Sequence, residues 1–142
     1  MSNYQHILTA LDLASPHAAI LDKAMKLGGT ATKHSLVHVI EPVPYPENYF
    51  GSLPVDLLEK TQAYAKEAFE SIAAEYNIPD EQCHIIIGYA GQSIHELAES
   101  LEADLVVVGS HGKHGLQLLM GSTTTKIIHG AQCDVLAVRI YD

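Results

Sequence analysis

A glycine- and hydroxyl-rich segment between residues 109 and 125 carries the residue types best suited to anion binding. It contains Gly109, Gly112 and Gly121, and the run Ser122–Thr125 supplies hydroxyl side chains directly after the last glycine. Glycines allow close backbone approach to a ligand, and the first N–H groups of a helix have no partner within it. Such N–H groups, the helix dipole and small hydroxyls bind phosphate without a basic cluster. The alternative is that the glycines only turn the chain and Ser122 only caps a helix.

The distribution of charge favours the anion site. The chain of 142 residues has 8 Lys and Arg against 17 Asp and Glu, a net charge of −9, which argues against a nucleic-acid binder with a basic surface. No carboxylate lies between Asp104 and Asp134, however, and this interval holds Lys113 and Lys126. A polyanion bound there would meet no repelling side chain from that segment. The 9 histidines make the net charge strongly dependent on pH near the histidine pKa.

Other chemistries are poorly supported by the sequence. The P-loop and the Rossmann glycine pattern are both absent, and a phosphate-accepting receiver domain would need an acidic cluster where Asp12 stands alone. Asp12 could instead serve as a base, face a magnesium ion or cap the next turn. His111 and His114 lack a further ligand beside them, so no metal site is predicted. Ser122 has no His and Asp pairing to make it a nucleophile, so no catalytic residue is predicted, and His38 is interpreted as packing along a strand.

Short β-branched apolar segments alternate with segments of helical period, which predicts strands separated by helices. The predicted strands are Gln5–Asp12, Ser35–Ile40, Cys83–Ile87, Leu105–Gly109 and Val135–Ile140. The predicted helices run from Ser15-Pro16 to Gly28-Gly29, from Val55 to Tyr76, from a capping box of Ser93 and Glu96, and from Ser122 to Gly130. The proline-rich stretch between Glu41 and Pro54 predicts a long surface loop, a lid or an interface.

Strands joined by helices of this length imply right-handed crossovers and a parallel sheet. We therefore predict a single doubly wound α/β domain over residues 1–142, with a five-stranded parallel sheet in the order 3-2-1-4-5 and helices on both faces. Ligands of such sheets bind at the carboxyl ends of the strands, where the strand order reverses. Asp12 and the segment 109–125 fall at such ends.

Several motifs together resemble the universal stress protein (UspA-like) family. They are Gly109-x-x-Gly112, the apolar stretch ending in Gly121-Ser122, the preceding ADLVVVGSHG, the final CDVLAV, the opening YQHILTALDLAS and the strand SLVHVIEP. The resemblance extends over nearly the whole chain. The ATP-binding branch of that family carries G-x2-G-x9-G-[ST], whereas this chain has eight residues, Lys113 to Met120, between its second and third glycines. The other branch lacks these glycines, so their presence here favours nucleotide binding.

The resemblance implies where an adenine nucleotide, ATP or AMP, would bind. Adenine would lie near Ala10, Asp12 and the backbone of Val39, and ribose near Val108 and Gly109. The phosphates, which would carry any Mg²⁺, would lie near Gly112, Gly121, Ser122, Thr123 and Thr124. In this family the last strand builds a homodimer, which implies that Val135, Leu136, Ala137 and Val138 form the dimer strand.

The predicted last strand indicates a dimer independently of the resemblance, because no helix follows it to cover its outer edge. The alternative is that Arg139 and Asp142 blunt this edge in a monomer. The opening MSNYQH lacks the pattern of a signal peptide, no apolar run approaches a membrane span, and the two cysteines lie far apart. We therefore expect a cytoplasmic protein with reduced thiols and no nucleic-acid or membrane partner.

Three functions remain open at this point. The first is a nucleotide-dependent regulator of the stress response, whose bound ATP or AMP sets its conformation or its partners. The second is a dimeric interaction module of the same fold that needs no nucleotide. The third is a slow ATPase, for which no residue argues directly.

Overall fold

The computed structural model describes residues 4–13, 16–41, 55–111 and 123–140, and within them strands and helices alternate. The strands are β1 (His6–Ala10), β2 (Lys33–Ile40), β3 (Cys83–Ile87), β4 (Leu105–His111) and β5 (Asp134–Ile140). The helices are α1 (Ala18–Leu27), α2 (Val55–Tyr76), α3 (Ala90–Leu101) and α4 (Thr123–Gly130), and a 3₁₀ turn spans Asp80–Gln82. Among these residues, no helix is long and apolar enough to cross a membrane.

The strands form a parallel sheet in the order β3-β2-β1-β4-β5, as the sequence predicted. Strand β1 lies at the centre and pairs with both β2 and β4. From β1 the chain moves outward through β2 to β3, and it then returns to the other side of β1 to form β4 and β5. The order therefore reverses between β1 and β4, which makes the carboxyl end of β1 the switch point of the sheet.

Helices cover both faces of the sheet. On one face Leu21 of α1 and Phe69 of α2 pack against buried side chains of the sheet such as Ile7. On the other face Ile94 of α3 and Ile127 of α4 pack in the same way. Burial of each large apolar side chain contributes about 1.5–3 kcal/mol relative to exposure. Because both faces are covered, the strands are apolar along most of their length rather than alternating with polar residues.

The helix boundaries agree with the prediction for α2 and at the end of α1, where Gly28 is the C-cap. Helix α1 begins at Ala18 rather than at Pro16, after His17, whose φ and ψ of −78° and −24° are already helical. Ser15, the predicted cap, lies outside the described residues.

The predicted capping box of Ser93 and Glu96 is wrong. Helix α3 begins at Ala90, after an extended Tyr89 that makes no side-chain cap bond. The Ser93 N–H already donates to the Tyr89 oxygen at 2.9 Å, so Ser93 lies inside the first turn. Its hydroxyl would come within 2.8 Å of a Cβ at Gly88, which shows how tightly the chain turns from β3 into α3. The helix therefore starts as soon as this turn is complete.

A hydrogen-bonded histidine ties the amino end of β1 to its neighbours. His6 Nδ1 lies 3.0 Å from the Leu101 oxygen and Nε2 lies 2.7 Å from Ser35 Oγ. Because a carbonyl only accepts, Nδ1 carries the proton and Nε2 accepts from the serine hydroxyl. Asp104 accepts the N–H groups of Gln5 at 2.9 Å and His6 at 3.0 Å. The start of the central strand is thus fixed to β2 and to the end of α3.

Burial lowers the pKa of three histidines at this end of the sheet, namely His6, His34 and His84. The positive charge of Lys33 lowers the pKa of His6 and His84 further, whereas Asp104 and the bond to Leu101 raise that of His6. The folded state therefore favours the neutral rings. An unfolded chain, with histidine pKa values near 6.5, takes up protons first as the pH falls.

We predict that the free energy of unfolding falls as the pH is lowered from 7.5 to 5.5. The histidine contribution is complete above the unfolded pKa and is lost as the pH drops towards the lowered folded values. His84→Leu should lose less stability over this interval, because it removes one of the three rings whose pKa burial lowers. Among the described residues it gives up no hydrogen bond of Nε2. Urea unfolding at the two pH values measures this, with the exposed His129→Gln as control. An equal loss in wild type and His84→Leu would contradict the prediction.

Candidate functional site

A cavity of about 120 Å³ opens at the carboxyl end of β1, because β1 is shorter than the strands on either side. Strand β1 has 5 residues, whereas β2 has 8 and β4 has 7. The Leu11 N–H makes one more bond, to the Val37 oxygen at 2.9 Å, and the chain then turns towards α1. The sequence predicted that this strand would continue to Asp12. Its earlier end leaves a gap between β2 and β4 at the switch point.

The walls of the cavity come from both layers of the fold and are mainly apolar. Helices α1, α3 and α4 contribute Ile20, Ile94 and Ile127, and among the described residues the polar side chains on the cavity are those of Asp12 and His38. The remaining lining residues are Ala10, Leu11, Val37, Val39, Ala90, Val108, Gly109 and Ile140. An apolar cleft with few polar groups is typical of a site for a flat organic ligand.

The predicted site residues fall into two groups. Ala10, Asp12, Val39, Val108 and Gly109 all lie on the cavity. Thr123 and Thr124 open α4, one turn before the buried Ile127 that lines the cavity. The predictions for Gly112, Gly121 and Ser122 concern residues outside the described ranges, and so does the shortened spacing between Gly112 and Gly121.

The backbone of Val39 faces the gap left by β1. Successive residues of a strand direct their peptide groups to alternate neighbours. The Val37 oxygen accepts from Leu11 on the β1 side, and the Ile40 oxygen accepts from Gly88 on the β3 side at 3.0 Å. Val39 therefore directs its N–H and C=O towards β1, but pairing of β1 with β2 ends at Ala10 and Val37. A donor and an acceptor stand next to each other at the edge of the cavity.

Asp12 stands at the cavity on a turn with an unusual backbone. It is exposed, and the next residue, Leu13, has φ of 63°, in the left-handed region. For a leucine this conformation costs on the order of 1–3 kcal/mol, and such strain is often found at functional sites. The side chain of Leu13 packs against the core next to α1, which helps to hold the turn in place.

Gly109 is required by packing, whatever the cavity binds. A Cβ at this position would lie 2.6 Å from Cδ1 of Ile140 and 2.7 Å from Cδ1 of Ile20. The family resemblance implies that a ribose lies near this glycine. The structure adds an internal reason for it, since α1 and β5 meet directly over the β4 backbone.

Sequence reasoning missed several residues of the cavity. Ile20, Ala90, Ile94 and Ile127 belong to helices, and nothing in their sequence pattern separates a cavity wall from an ordinary core position. His38 was interpreted as packing along β2. Its place beside Val39, at the carboxyl end of a strand next to the switch point, was the signal that could have marked it.

The two cysteines are free thiols of low reactivity. Burial raises the pKa of the Cys83 thiol to about 11, and it raises that of Cys133 as well. The thiolate, which is the nucleophile and the metal ligand, is therefore scarce at neutral pH. Among the described residues, no group of three His, Cys, Asp or Glu side chains is arranged to hold a metal ion.

The sheet order and the cavity at its switch point agree with a match found by sequence comparison. The model described as "Universal stress protein family" matches residues 3–139. The chain belongs to the universal stress protein family. This universal stress protein is 37% identical over 139 residues to universal stress protein A homolog 1 of Coxiella burnetii, with 96% of each chain covered. It is 38% identical over 143 residues to homolog 2 of the same organism, covering 99% of this chain and 98% of the relative.

Solved structures share the fold at lower identity. The universal stress protein UspA from Lactobacillus plantarum superimposes with a TM-score of 0.74 at 22% identity, covering 98% of this chain and all of that one. A universal stress protein described in complex with cAMP superimposes with a TM-score of 0.65 at 23% identity, covering 97% of this chain and 98% of that chain. A family member from Arabidopsis thaliana with AMP bound superimposes with a TM-score of 0.58 at 18% identity, covering 96% of this chain and 92% of that chain. At these identities the likeness shows the fold alone.

We predict that Gly109→Ala in this universal stress protein lowers the free energy of unfolding by about 1–3 kcal/mol, the usual cost of overpacking a core. The new methyl group would press on the Cδ1 atoms of Ile20 and Ile140. Ile140→Val removes one of those atoms, so it should cost less in the Gly109→Ala background than in wild type. Urea unfolding of the four members of this cycle measures the coupling. Strict additivity would show that Gly109 is not set by this contact.

Proposed function

We propose that this universal stress protein binds an adenine nucleotide, ATP or AMP, at the switch-point cavity and acts as a nucleotide-dependent regulator in the stress response. The observation that carries the proposal is the Val39 peptide group, which presents a donor and an acceptor beside an apolar cleft at the end of β1. A purine base has flat apolar faces and an edge of donors and acceptors. The cleft and the Val39 edge match these two features.

Each part of the nucleotide has a proposed partner. The base lies between the walls formed by Ala10, Val108 and their neighbours, its edge meets Val39, and Asp12 accepts a hydrogen bond from it. The ribose lies by Val108 and Gly109. Adenine is chosen over other bases because the family resemblance implies it and because members of this fold are described with AMP or cAMP bound.

The phosphates are proposed to lie at the start of α4, near Gly112, Gly121, Ser122, Thr123 and Thr124. Thr123 and Thr124 form the first turn of α4, whose N–H groups have no partner within the helix. The stretch without carboxylates from residue 105 to residue 133 surrounds this point, so a polyphosphate meets no repulsion from it. Any Mg²⁺ is carried by the phosphates, since the described residues offer no metal cluster.

We predict that ATP, ADP or AMP raises the melting temperature, whereas GTP raises it much less. Nucleotide at about 100 times its Kd adds ~2.7 kcal/mol of stability, which is a shift of several degrees for a chain of this size. Asp12→Ala should reduce the shift, because the base loses its carboxylate partner. Glu67→Ala, which removes an exposed carboxylate of α2, is the matched control and should behave as wild type. The measurement is a thermal-shift titration with and without Mg²⁺.

The same titration tests the placement of the phosphates. Gly121→Val should abolish the shift and leave the fold intact, because a side chain there blocks close approach of the backbone. If that variant still binds, the phosphates lie elsewhere. If no nucleotide shifts wild type, the nucleotide proposal fails and an interaction module of the same fold takes its place. Phosphate release from ATP would instead indicate the slow ATPase.

We further propose that residues 1–142 form one domain that works as a cytoplasmic homodimer paired through β5. Strand β5 is at the edge of the sheet, with the exposed Ala137 at its middle. An edge strand presents N–H and C=O groups that a second copy can pair with. The half-buried Val135 and Leu136 extend the apolar surface of the same strand, whose Val138 is anchored in the core.

We predict that Ala137→Glu converts this dimer to a monomer, because two like charges would face each other across the paired strands. Ala63→Glu, on the exposed surface of α2, introduces the same side chain away from β5 and should leave the dimer intact. Size-exclusion chromatography with light scattering at micromolar concentration measures the mass. A wild-type mass of one chain would exclude the dimer, and an unchanged mass for Ala137→Glu would exclude this interface.

A further inference from the structure

We propose that His38 is a positioning residue of the nucleotide site, whose side chain ends the pairing of β1 with β2 one rung early. In doing so it leaves the Val39 N–H to the ligand and holds Asp12 at the cavity. The effect on affinity rests on the proposed function, whereas the effect on the strands stands on the hydrogen bonds alone.

The hydrogen bonds around Leu11 show that the His38 side chain takes the place of a backbone donor. In a parallel ladder, the bond from Leu11 N–H to the Val37 oxygen is followed by one from Val39 N–H to the Leu11 oxygen. Pairing of the two strands stops before that rung, at Ala10 and Val37. The Leu11 oxygen lies instead 2.7 Å from Nδ1 of His38. The imidazole has replaced the Val39 N–H as the donor to this carbonyl.

The core fixes the ring that makes this bond. The centroid of His38 lies 6.4 Å from that of Phe69, with the planes at 73°, an edge-to-face contact. Phe69 is 2% exposed and belongs to the core between α2 and the sheet. Because the Leu11 carbonyl only accepts, Nδ1 is the donor in this bond.

The turn after Leu11 depends on both backbone groups of Leu11 being held in place. Leu11 is held at its N–H by the Val37 oxygen and at its C=O by His38, two consecutive residues of β2. Asp12 comes next, and Leu13 then adopts the left-handed conformation that leucine disfavours. Two hydrogen bonds to one residue fix the direction in which the chain leaves the sheet. Asp12 is placed at the cavity as a result.

The first experiment needs no nucleotide and compares His38→Leu with His38→Asn. Leucine keeps much of the bulk but has no donor, whereas the Asn side chain places an N–H at a position close to that of Nδ1. In His38→Leu the Leu11 oxygen becomes available to Val39, so hydrogen exchange of the Val39 amide should slow at least tenfold. In His38→Asn it should stay at the wild-type rate. Equal exchange of Val39 in wild type and His38→Leu would overturn the proposal.

The second experiment measures the Kd for AMP by calorimetry. We expect His38→Leu to weaken binding at least tenfold and His38→Asn to stay within about threefold of wild type. Ile72→Val is the control for stability, since it removes a methyl group from the same core and leaves His38 and Phe69 intact, and it should lower the melting temperature with little change in Kd. Unchanged affinity in His38→Leu would refute the positioning role.

The two experiments separate the possible failures. If wild type binds no AMP, the proposed function fails, while the exchange of the Val39 amide still tests what His38 does to the strands. If wild type binds AMP and Val39 exchange is unaffected by His38→Leu, the nucleotide proposal stands and the role given to His38 is wrong.

Discussion

The hydrogen bond from Leu11 N–H to the Val37 oxygen, 2.9 Å long, is the last that β1 makes to β2, and the site depends on where that pairing stops. One rung more would use the Val39 N–H inside the sheet and carry Asp12 along the strand. Because the central strand ends while both neighbours continue, the sheet opens at its switch point, where residues of α1, α3 and α4 line the cavity. The cavity is therefore produced by the length of one strand, which His38 limits, and the other side chains around it give it its chemistry.

The two ends of the sheet differ in what they carry. At the amino end, His6 bonds to Ser35, Asp104 and Leu101, and these bonds fix the start of β1. At the carboxyl end, the early end of β1 leaves the Val39 backbone facing the cavity. A strand anchored at its start by three partners can end abruptly without losing its register, since its pairing with β2 and β4 is already determined.

Much of the fold could be predicted from the sequence, because alternation of apolar strands and amphipathic helices is a local signal. The place of the cavity followed from the same signal, since the switch-point rule needs only the order of the elements. The early end of β1 could not be predicted, because it depends on a contact of His38 with Leu11, 27 residues earlier. The start of α3 was misjudged because the cap pattern at Ser93 does not show that the chain turns tightly at Gly88 and enters the helix at Ala90, three residues earlier.

Ile140 belongs to two parts of the molecule at once. It lies in the edge strand β5, and its Cδ1 also rests over Gly109 and lines the cavity. A change at this residue therefore alters the shape of the cavity and the rigidity of the edge together. Variants of Ile140 cannot serve as a test of either alone, and the surface of β5 is best changed at side chains such as Ala137 that do not reach the cavity.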